Sequence, residues 1–426
     1  MLFRSILEFG HKGTDDFQAN LARLHETSVE IKFISEETAI YPPHAGDVLI
    51  DALFGSGLNR PLDGLSARLV ENMNASGHEI IAIDIPSGLF VDRSSLNNPV
   101  VRAAHTLSFQ CYKPALLLPE NAEWFGEVHI LDIALHPDFL INVSSPLQWI
   151  DAALVKTMLK PRKRFSHKGD FGHAALAAGS AGMMGAAVLC ARACLRSGAG
   201  KLTCHITDAG NMIMQVAVPE AMCKVEEGNE FITAFSGAEK YTAVGIGPGL
   251  GQHDQHVSLL ESLFQHYHHP LVIDADGLNV LAKHNWLLNK IPANTILTPH
   301  PKEFERLFGK PNDDFHRMEL ALEKAAFYKI IIVLKGHHTF IATPEGKGYF
   351  NSTGNAGMAT GGTGDVLTGI ITSLVAQGYK PEHAAIAGVH IHGLAGDLAA
   401  ACLSPEALVA SDIVDYLGNA FAQLTS

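Results

Sequence analysis

The densest chemical signal in the chain is the run NAGMATGGTGD, Asn355 to Asp365, which leads straight into VLTGIITSLVAQG. Val366, Leu367, Ile370, Ile371, Leu374 and Val375 recur at helical spacing, so the glycine loop opens a helix. Backbone N–H groups of Gly361, Gly362, Thr363 and Gly364 can then converge on a phosphate, because residues this small permit close approach and the helix dipole favours negative charge. Asp365 lies in the first turn of that helix. A carboxylate there can serve as a plain dipole-compensating cap. A cap gains nothing from a glycine-rich approach, whereas a base accepting a proton beside a phosphate needs such a cradle. Asp365 is therefore the candidate catalytic base.

Other motifs also fall where apolar runs stop. GIGPGLG, Gly245 to Gly251, is either a simple loop or a backbone surface for a bulky ligand that side chains would block. In VIDADGLNVL one of Asp274 and Asp276 can cap the next helix, while two carboxylates at this spacing can hold a hydrated magnesium ion or substrate hydroxyls; Asp276 and Asn279 are candidates. TPHPKEFERL sets His300 between two prolines that fix the direction of its imidazole. LKGHHT puts Lys335 at a strand end, where a lysine is either solvated or a cationic phosphate neighbour. KGDFGHAALAAGS and MMGAAVLCARACLRSGAGK read as strand, turn and helix with small residues for tight packing. His390 and His392 are two apart in an expected helix, on different faces, so no joint metal site is assigned to them. In the first half, DALFGSGLNRP (Asp51 to Pro61) and DIPSG (Asp84 to Gly88) sit at strand ends, and each alone reads as an ordinary strand-to-helix turn.

Apolar, β-branched runs must position these residues. DVLIDALFG, EIIAIDIPSG, AHTLSFQ and EVHILDI look like buried parallel strands separated by helix-length stretches, a βαβ array with helices on both faces. The polar passage LHPDFLINVSSPLQWID separates them from a second array: HAALAAGS, KLTCHI, TAVGIGPG, PLVIDADG, NTILTPHP and KIIIVLKG. Two α/β domains are expected, 1–148 and 149–426, with ligands outside the carboxyl ends of the strands. The 426 residues, 47% hydrophobic and 18% charged, exclude a disordered chain. A net charge of -13 argues against a nucleic-acid partner. No long uninterrupted apolar run and no cleavable leader in MLFRSILEFGHKG are evident, so a cytoplasmic protein without membrane association is expected. The six cysteines form no CxxC pair and are expected to be free, buried thiols.

GTGD opening a helix, with these strand ends, resembles the ribokinase-like superfamily. The ordered set KGDFGHAALAAGSAGMMGAAVLCARACLRSGAG, GIGPGLG, DADGLN, TPHPKEFERL, LKGHHT and NAGMATGGTGD resembles the ADP- or ATP-dependent NAD(P)H-hydrate dehydratases. That resemblance implies a ribokinase-like domain that phosphorylates the C6 hydroxyl of S-NADHX or S-NADPHX from ADP (or ATP) with Mg2+, then loses phosphate. It implies that Ala186, Gly249, His300 and Asp365 meet the hydrate, that Lys335, Gly336, His337, His338, Thr339 and Gly364 bind the nucleotide, and that Glu303 lies near the phosphates or metal. DALFGSGLNRP and DIPSG, followed by HTLSFQCYKPALLL, resemble the NAD(P)H-hydrate epimerases. In a partial Rossmann-like domain of that kind, Asp51 and Ser87 help hold K+, Gly55, Ser56, Gly57, Leu58, Asn59, Arg60 and Pro61 face the hydrate phosphates, and Asp84 contacts the substrate. The upstream Asn-Asn-Gly-Gly-Asp motif of that family is not in this sequence. The expectation is an N-terminally incomplete epimerase half with impaired activity, explained by a short gene model. The competing expectation is a ribokinase-like kinase of a vitamin-precursor alcohol, which would share GTGD but release a stable phosphate ester. A non-catalytic nucleotide-binding protein fits the intact GTGD less well. The expected partners are small molecules, NADHX or NADPHX and ADP, in a homo-oligomer.

Overall fold

A computed structural model describes residues 3–7, 13–37, 40 and 42–425. The chain divides into two compact units at Val143/Ser144, with Asp313–Phe315 grouped with the first. In the first unit, Leu49–Asp51, Ile80–Ile83, His105–Phe109 and Glu127–Leu131 pair in that order, all parallel. These are the four apolar runs read from the sequence. A separate parallel pair, Phe3–Leu7 with Glu30–Ile34, flanks the helix Asp15–His25, whose Thr14 side chain caps it.

The second unit is built on ten strands in the spatial order Met222–Val225, Lys201–Ile206, His173–Ala177, Ala243–Ile246, Leu271–Ile273, Ile296–Leu297, Ile331–Leu334, Phe340–Ala342, Gly348–Asn351 and Leu147–Ile150. The central strands are parallel and buried residue after residue, which is why their sequences run apolar rather than alternating. Phe340–Ala342 runs antiparallel to both Ile331–Leu334 and Gly348–Asn351, a hairpin after the last predicted run. Leu147–Ile150 pairs with Gly348–Asn351, so the expected division at 148/149 cuts a strand that belongs to the second sheet.

The helix Thr363–Ala376 is buried from Val366 to Ala376, as a core helix apolar on nearly every face must be. It crosses the helix Met184–Arg196 at Gly369, where a Cβ would stand 2.2 Å from the Cys190 carbonyl oxygen; only glycine permits that approach. Pro381–Leu403 is long and apolar enough to cross a membrane by composition alone, yet 56% of its most apolar window is buried inside the fold. It packs on Thr363–Ala376 and on the helix Ala410–Thr425. The cysteine expectation holds only in part: Cys190, Cys194 and Cys204 are buried, whereas Cys111 and Cys402 are exposed.

Candidate active site

Register lines up the strand ends of the second unit. Ala177, Ile246, Ile273, Leu297 and Ile332 are successive cross-strand partners, so the residues that follow them form one rim. Asp274 follows its strand with 1% exposure. Although it stands at the N-cap of Ala275–Lys283, it makes no capping bond. Its oxygens instead accept from Lys335 Nζ at 2.8 Å and from Thr368 Oγ1 at 2.8 Å. Lys335 Nζ also lies 3.8 Å from Glu303. Burial alone would lower the Lys335 pKa, but Asp274 and Glu303 outweigh it and hold the ammonium above its ordinary value. Burial pushes Glu303 up, against the pull of Lys335.

The glycine loop passes over this ion pair. A Cβ on Gly364 would be 3.4 Å from Lys335 Nζ and 3.6 Å from Asp274 Oδ2. Gly362 takes the N-cap position with φ of 92°, and no side chain caps the helix, leaving the first-turn N–H groups free of a side-chain partner. Asp365 follows in that turn. Burial pushes its carboxyl up to about 6, Asp274 and Asp276 adding to the effect and Lys335 opposing it. Among the described residues none donates a hydrogen bond to Asp365.

His300 is the N-cap of the helix Pro301–Phe308. Its Nδ1 accepts from the N–H groups of Lys302 and Glu303, while Glu303 accepts from the His300 N–H at 2.8 Å, a reciprocal capping box. Nδ1 is thus committed as an acceptor, which leaves the proton on Nε2, 3.5 Å from Glu303 Oε1, in a side chain that is 43% exposed. Gly249 has φ of 60°, and a Cβ on it would lie 3.0 Å from the Ala186 Cβ, so these two residues adjoin. Asp276 and Asn279 are not free ligands: Asp276 accepts from the Gly251 N–H and Gln252 Nε2, and Asn279 Oδ1 accepts from Arg306. Asp276 therefore clamps the GIGPGLG loop to the rim. In LKGHHT, Gly336 and Thr339 close a turn on each other, and His338 is engaged by the Asn351 carbonyl and the Trp149 ring. His337 is exposed in that turn, whereas Lys335 is half-buried on Asp274. His390 and His392 lie on different faces of Pro381–Leu403, and burial lowers both, His392 to about 4.

In the first unit Asp51 is 1% exposed and accepts from the Ser87 N–H at 2.7 Å and the Ser87 hydroxyl at 2.6 Å. The Phe54 carbonyl lies 3.3 Å from the same hydroxyl. Burial pushes the Asp51 carboxyl up. Asp84, with φ of 70°, accepts from Ser56 N–H at 3.2 Å and from Lys113 Nζ at 2.7 Å. Burial would raise Asp84, but Lys113 prevails and holds it below the ordinary carboxylate range. Phe54, Leu58, Arg60 and Pro61 line a hollow of about 180 Å³, and Arg93 donates to the Asn59 carbonyl.

Lys113 and Thr368 were not among the residues read from the sequence as site candidates. Thr368 had a signal, a polar residue about one helical turn after Asp365 in a mostly apolar helix. Lys113 had none, since a single lysine in QCYKPALLL looks like any surface lysine.

An open, mostly parallel sheet with a glycine loop feeding a helix, preceded by a smaller parallel sheet, defines a ribokinase-like α/β protein joined to a Rossmann-like unit. Residues 174–419 match the family described as NAD(P)H-hydrate dehydratase, and residues 5–115 match YjeF-related protein N-terminus. The ADP/ATP-dependent NAD(P)H-hydrate dehydratase from Bacillus subtilis, co-crystallised with ATP/Mg2+, is similar at TM-score 0.57 and 32% identity over 65% of this chain and 98% of its own. Among curated relatives, the bifunctional NAD(P)H-hydrate repair enzyme Nnr of Thermofilum pendens is 36% identical over 92% of this chain and 75% of its own length. That of Escherichia coli is 35% identical over 88% and 72%. The chain belongs to the bifunctional NAD(P)H-hydrate repair enzyme family.

Proposed function

We propose that the second unit repairs hydrated nicotinamide cofactors, dehydrating S-NADHX or S-NADPHX at the expense of a nucleotide, with ADP favoured over ATP. The observation that carries this is Asp365: a carboxyl to which none of the described residues donates a hydrogen bond, in the first turn of a helix with no side-chain cap, beside the loop over Lys335. Its ionised form accepts the C6 hydroxyl proton as that oxygen attacks the terminal phosphorus, the P–O bond to the nucleotide breaks, and AMP leaves if ADP is the donor. The phosphate ester then departs as inorganic phosphate while a proton is lost from C5, restoring the dihydronicotinamide. Phosphorylation supplies the leaving group that a bare hydroxyl lacks.

Lys335 sits between the loop and its two acidic partners, where its charge meets the phosphates. Gly364 and the turn Lys335, Gly336, His337, His338 and Thr339 surround the nucleotide; Ala186, Gly249 and His300, through its Nε2–H, meet the hydrate. Asp274, Glu303 and Asp365 around a single ammonium would repel a bare polyphosphate, which fits a nucleotide that arrives with Mg2+. Asp274, Asp276 and Glu303 already have protein partners, so the ion would be held by the nucleotide's own phosphates and water. When bound, it neutralises phosphate charge.

The first unit takes the same hydrates for R/S epimerisation, with Asp84 and Gly55 to Pro61 on the substrate. Asp51, Ser87 and the Phe54 carbonyl offer the all-oxygen donor set that suits K+. The enzyme is cytoplasmic and homo-oligomeric in this reading. A kinase of a vitamin-precursor alcohol is the weaker alternative, because it gives no role to an epimerase-like half. Incubating the protein with S- and R-hydrates and ADP or ATP, and following recovery of dihydronicotinamide absorbance, tests each part. Nucleotide-dependent recovery from S-hydrate, and from R-hydrate once it is epimerised, is expected; a stable phosphate ester would point to the kinase.

A further inference from the structure

The first unit carries a side-chain cluster that neither activity uses. His105 and Glu127 are register partners at the starts of adjacent parallel strands, and His129, two residues on, shares their face. His105 Nδ1 is 3.2 Å from His129 Nε2. Glu127 places Oε2 at 3.6 Å from His105 Nδ1 and Oε1 at 3.9 Å from His129 Nε2. Tetrahedral zinc, with Zn–N near 2.0–2.1 Å, requires ligand-to-ligand edges of about 3.3 Å. The imidazole edge already has that length, and the carboxylate, on a flexible side chain, is a few tenths of an ångström away.

A second observation concerns the other ring nitrogen. Glu79, directly before Ile80–Ile83, has Oε1 3.6 Å from His105 Nε2. A carboxylate there favours the tautomer with its proton on Nε2 and leaves Nδ1 as the lone-pair donor, the outer arrangement that metal-bound histidines usually have. The ligand side chains are 36% to 69% exposed, so an ion can reach them. Strand pairing fixes their spacing, since all three stand on regular β-structure rather than on a loop.

We propose that His105, Glu127 and His129 form a three-ligand site for a zinc-class divalent cation, with Glu79 as its outer carboxylate and water completing the coordination. Two imidazoles and a carboxylate suit a borderline transition metal, whereas magnesium and calcium take oxygen donors. The ion links the strands His105–Phe109 and Glu127–Leu131 and stabilises the small sheet.

The test uses the full 426-residue polypeptide, freed of metal with a chelator and titrated with Zn2+ alone, then with Co2+ as a visible-absorbing stand-in. One Zn2+ per chain, a tetrahedral Co2+ spectrum and a higher melting temperature with Zn2+ are expected. The double variant His105→Asn, His129→Gln loses all three while S-hydrate dehydration is unchanged. Glu79→Gln keeps every ligand and weakens Zn2+ binding by about tenfold or more, which decides the matter even if the double variant fails to fold. Absence of saturable Zn2+ binding by the parent protein overturns the proposal. So does Zn2+ binding undiminished in the double variant, which would place the ion on exposed cysteines such as Cys111, and so does unaltered affinity in Glu79→Gln.

Discussion

Replacing Asp365 by asparagine separates the fold's interest from the reaction's. The carboxyl stands at about 6 in the folded protein against an ordinary 3.8, raised first by burial and then by Asp274. Roughly two pKa units at about 1.4 kcal/mol each make ~3 kcal/mol of strain in holding it ionised, an upper figure that solvent relaxation reduces. The folded pKa is the higher one, so the unfolded state gives up its proton first as pH rises. The penalty on folding grows between about pH 4 and 6, is complete above 6, and disappears below 4. An amide never ionises. Asp365→Asn is therefore expected to be more stable than the parent at pH 7.5 by on the order of 1–3 kcal/mol, worth about 2–4 °C in melting temperature per kcal/mol, with no gain near pH 4. Turnover runs the opposite way. The amide keeps the shape but cannot accept the hydroxyl proton, so dehydration falls by ~10²-fold or more with nucleotide binding largely kept. In the parent, activity rises with pH through about 6, because the base works ionised. Melting curves from pH 4 to 8 and the S-hydrate absorbance assay read both effects. Near-parental turnover in the variant would assign the base elsewhere. Melting no higher than the parent at pH 7.5 would refute the electrostatic account.

Lys335→Met leaves Asp274 buried without its cation; a loss of about 3 kcal/mol or more is expected in denaturant unfolding at neutral pH, and in folded variant the acid limb of activity moves above 6 because a charge that lowers Asp365 is gone. Gly364→Val meets only ordinary contacts at its Cβ, so the melting temperature changes little while the nucleotide KM rises about tenfold or more, the equivalent of 1.4 kcal/mol of binding. Lys113→Met removes the charge that holds Asp84 down; the Asp84 carboxyl then titrates at higher pH, measurable by NMR, and R-hydrate binding weakens. Asp276→Ala frees the Gly251 N–H and Gln252, which should raise KM for the hydrate more than it changes the KM for nucleotide.

The sequence by itself determined the central strands of both sheets and the loops that end them. Runs such as KIIIVLKG and TAVGIGPG became buried parallel strands because burial on both faces requires an unbroken apolar stretch, a local property. Likewise, glycines before an apolar helical repeat mark a helix start, which places Asp365 in the first turn by local pattern alone. Tertiary structure alone decided which polar groups meet. Asp274 pairs with Lys335 and Thr368, which are 61 and 94 residues distant. Nothing local distinguishes it from Asp276, which turned out to clamp a loop. The short edge strand Leu147–Ile150 is an element only because Gly348–Asn351 pairs with it. The same holds for Lys113 on Asp84 and for His105 facing His129 across two strands. Periodicity and turn chemistry act within a few residues, whereas ion pairs, ligand sets and pKa shifts depend on distances that only strand register and helix packing fix.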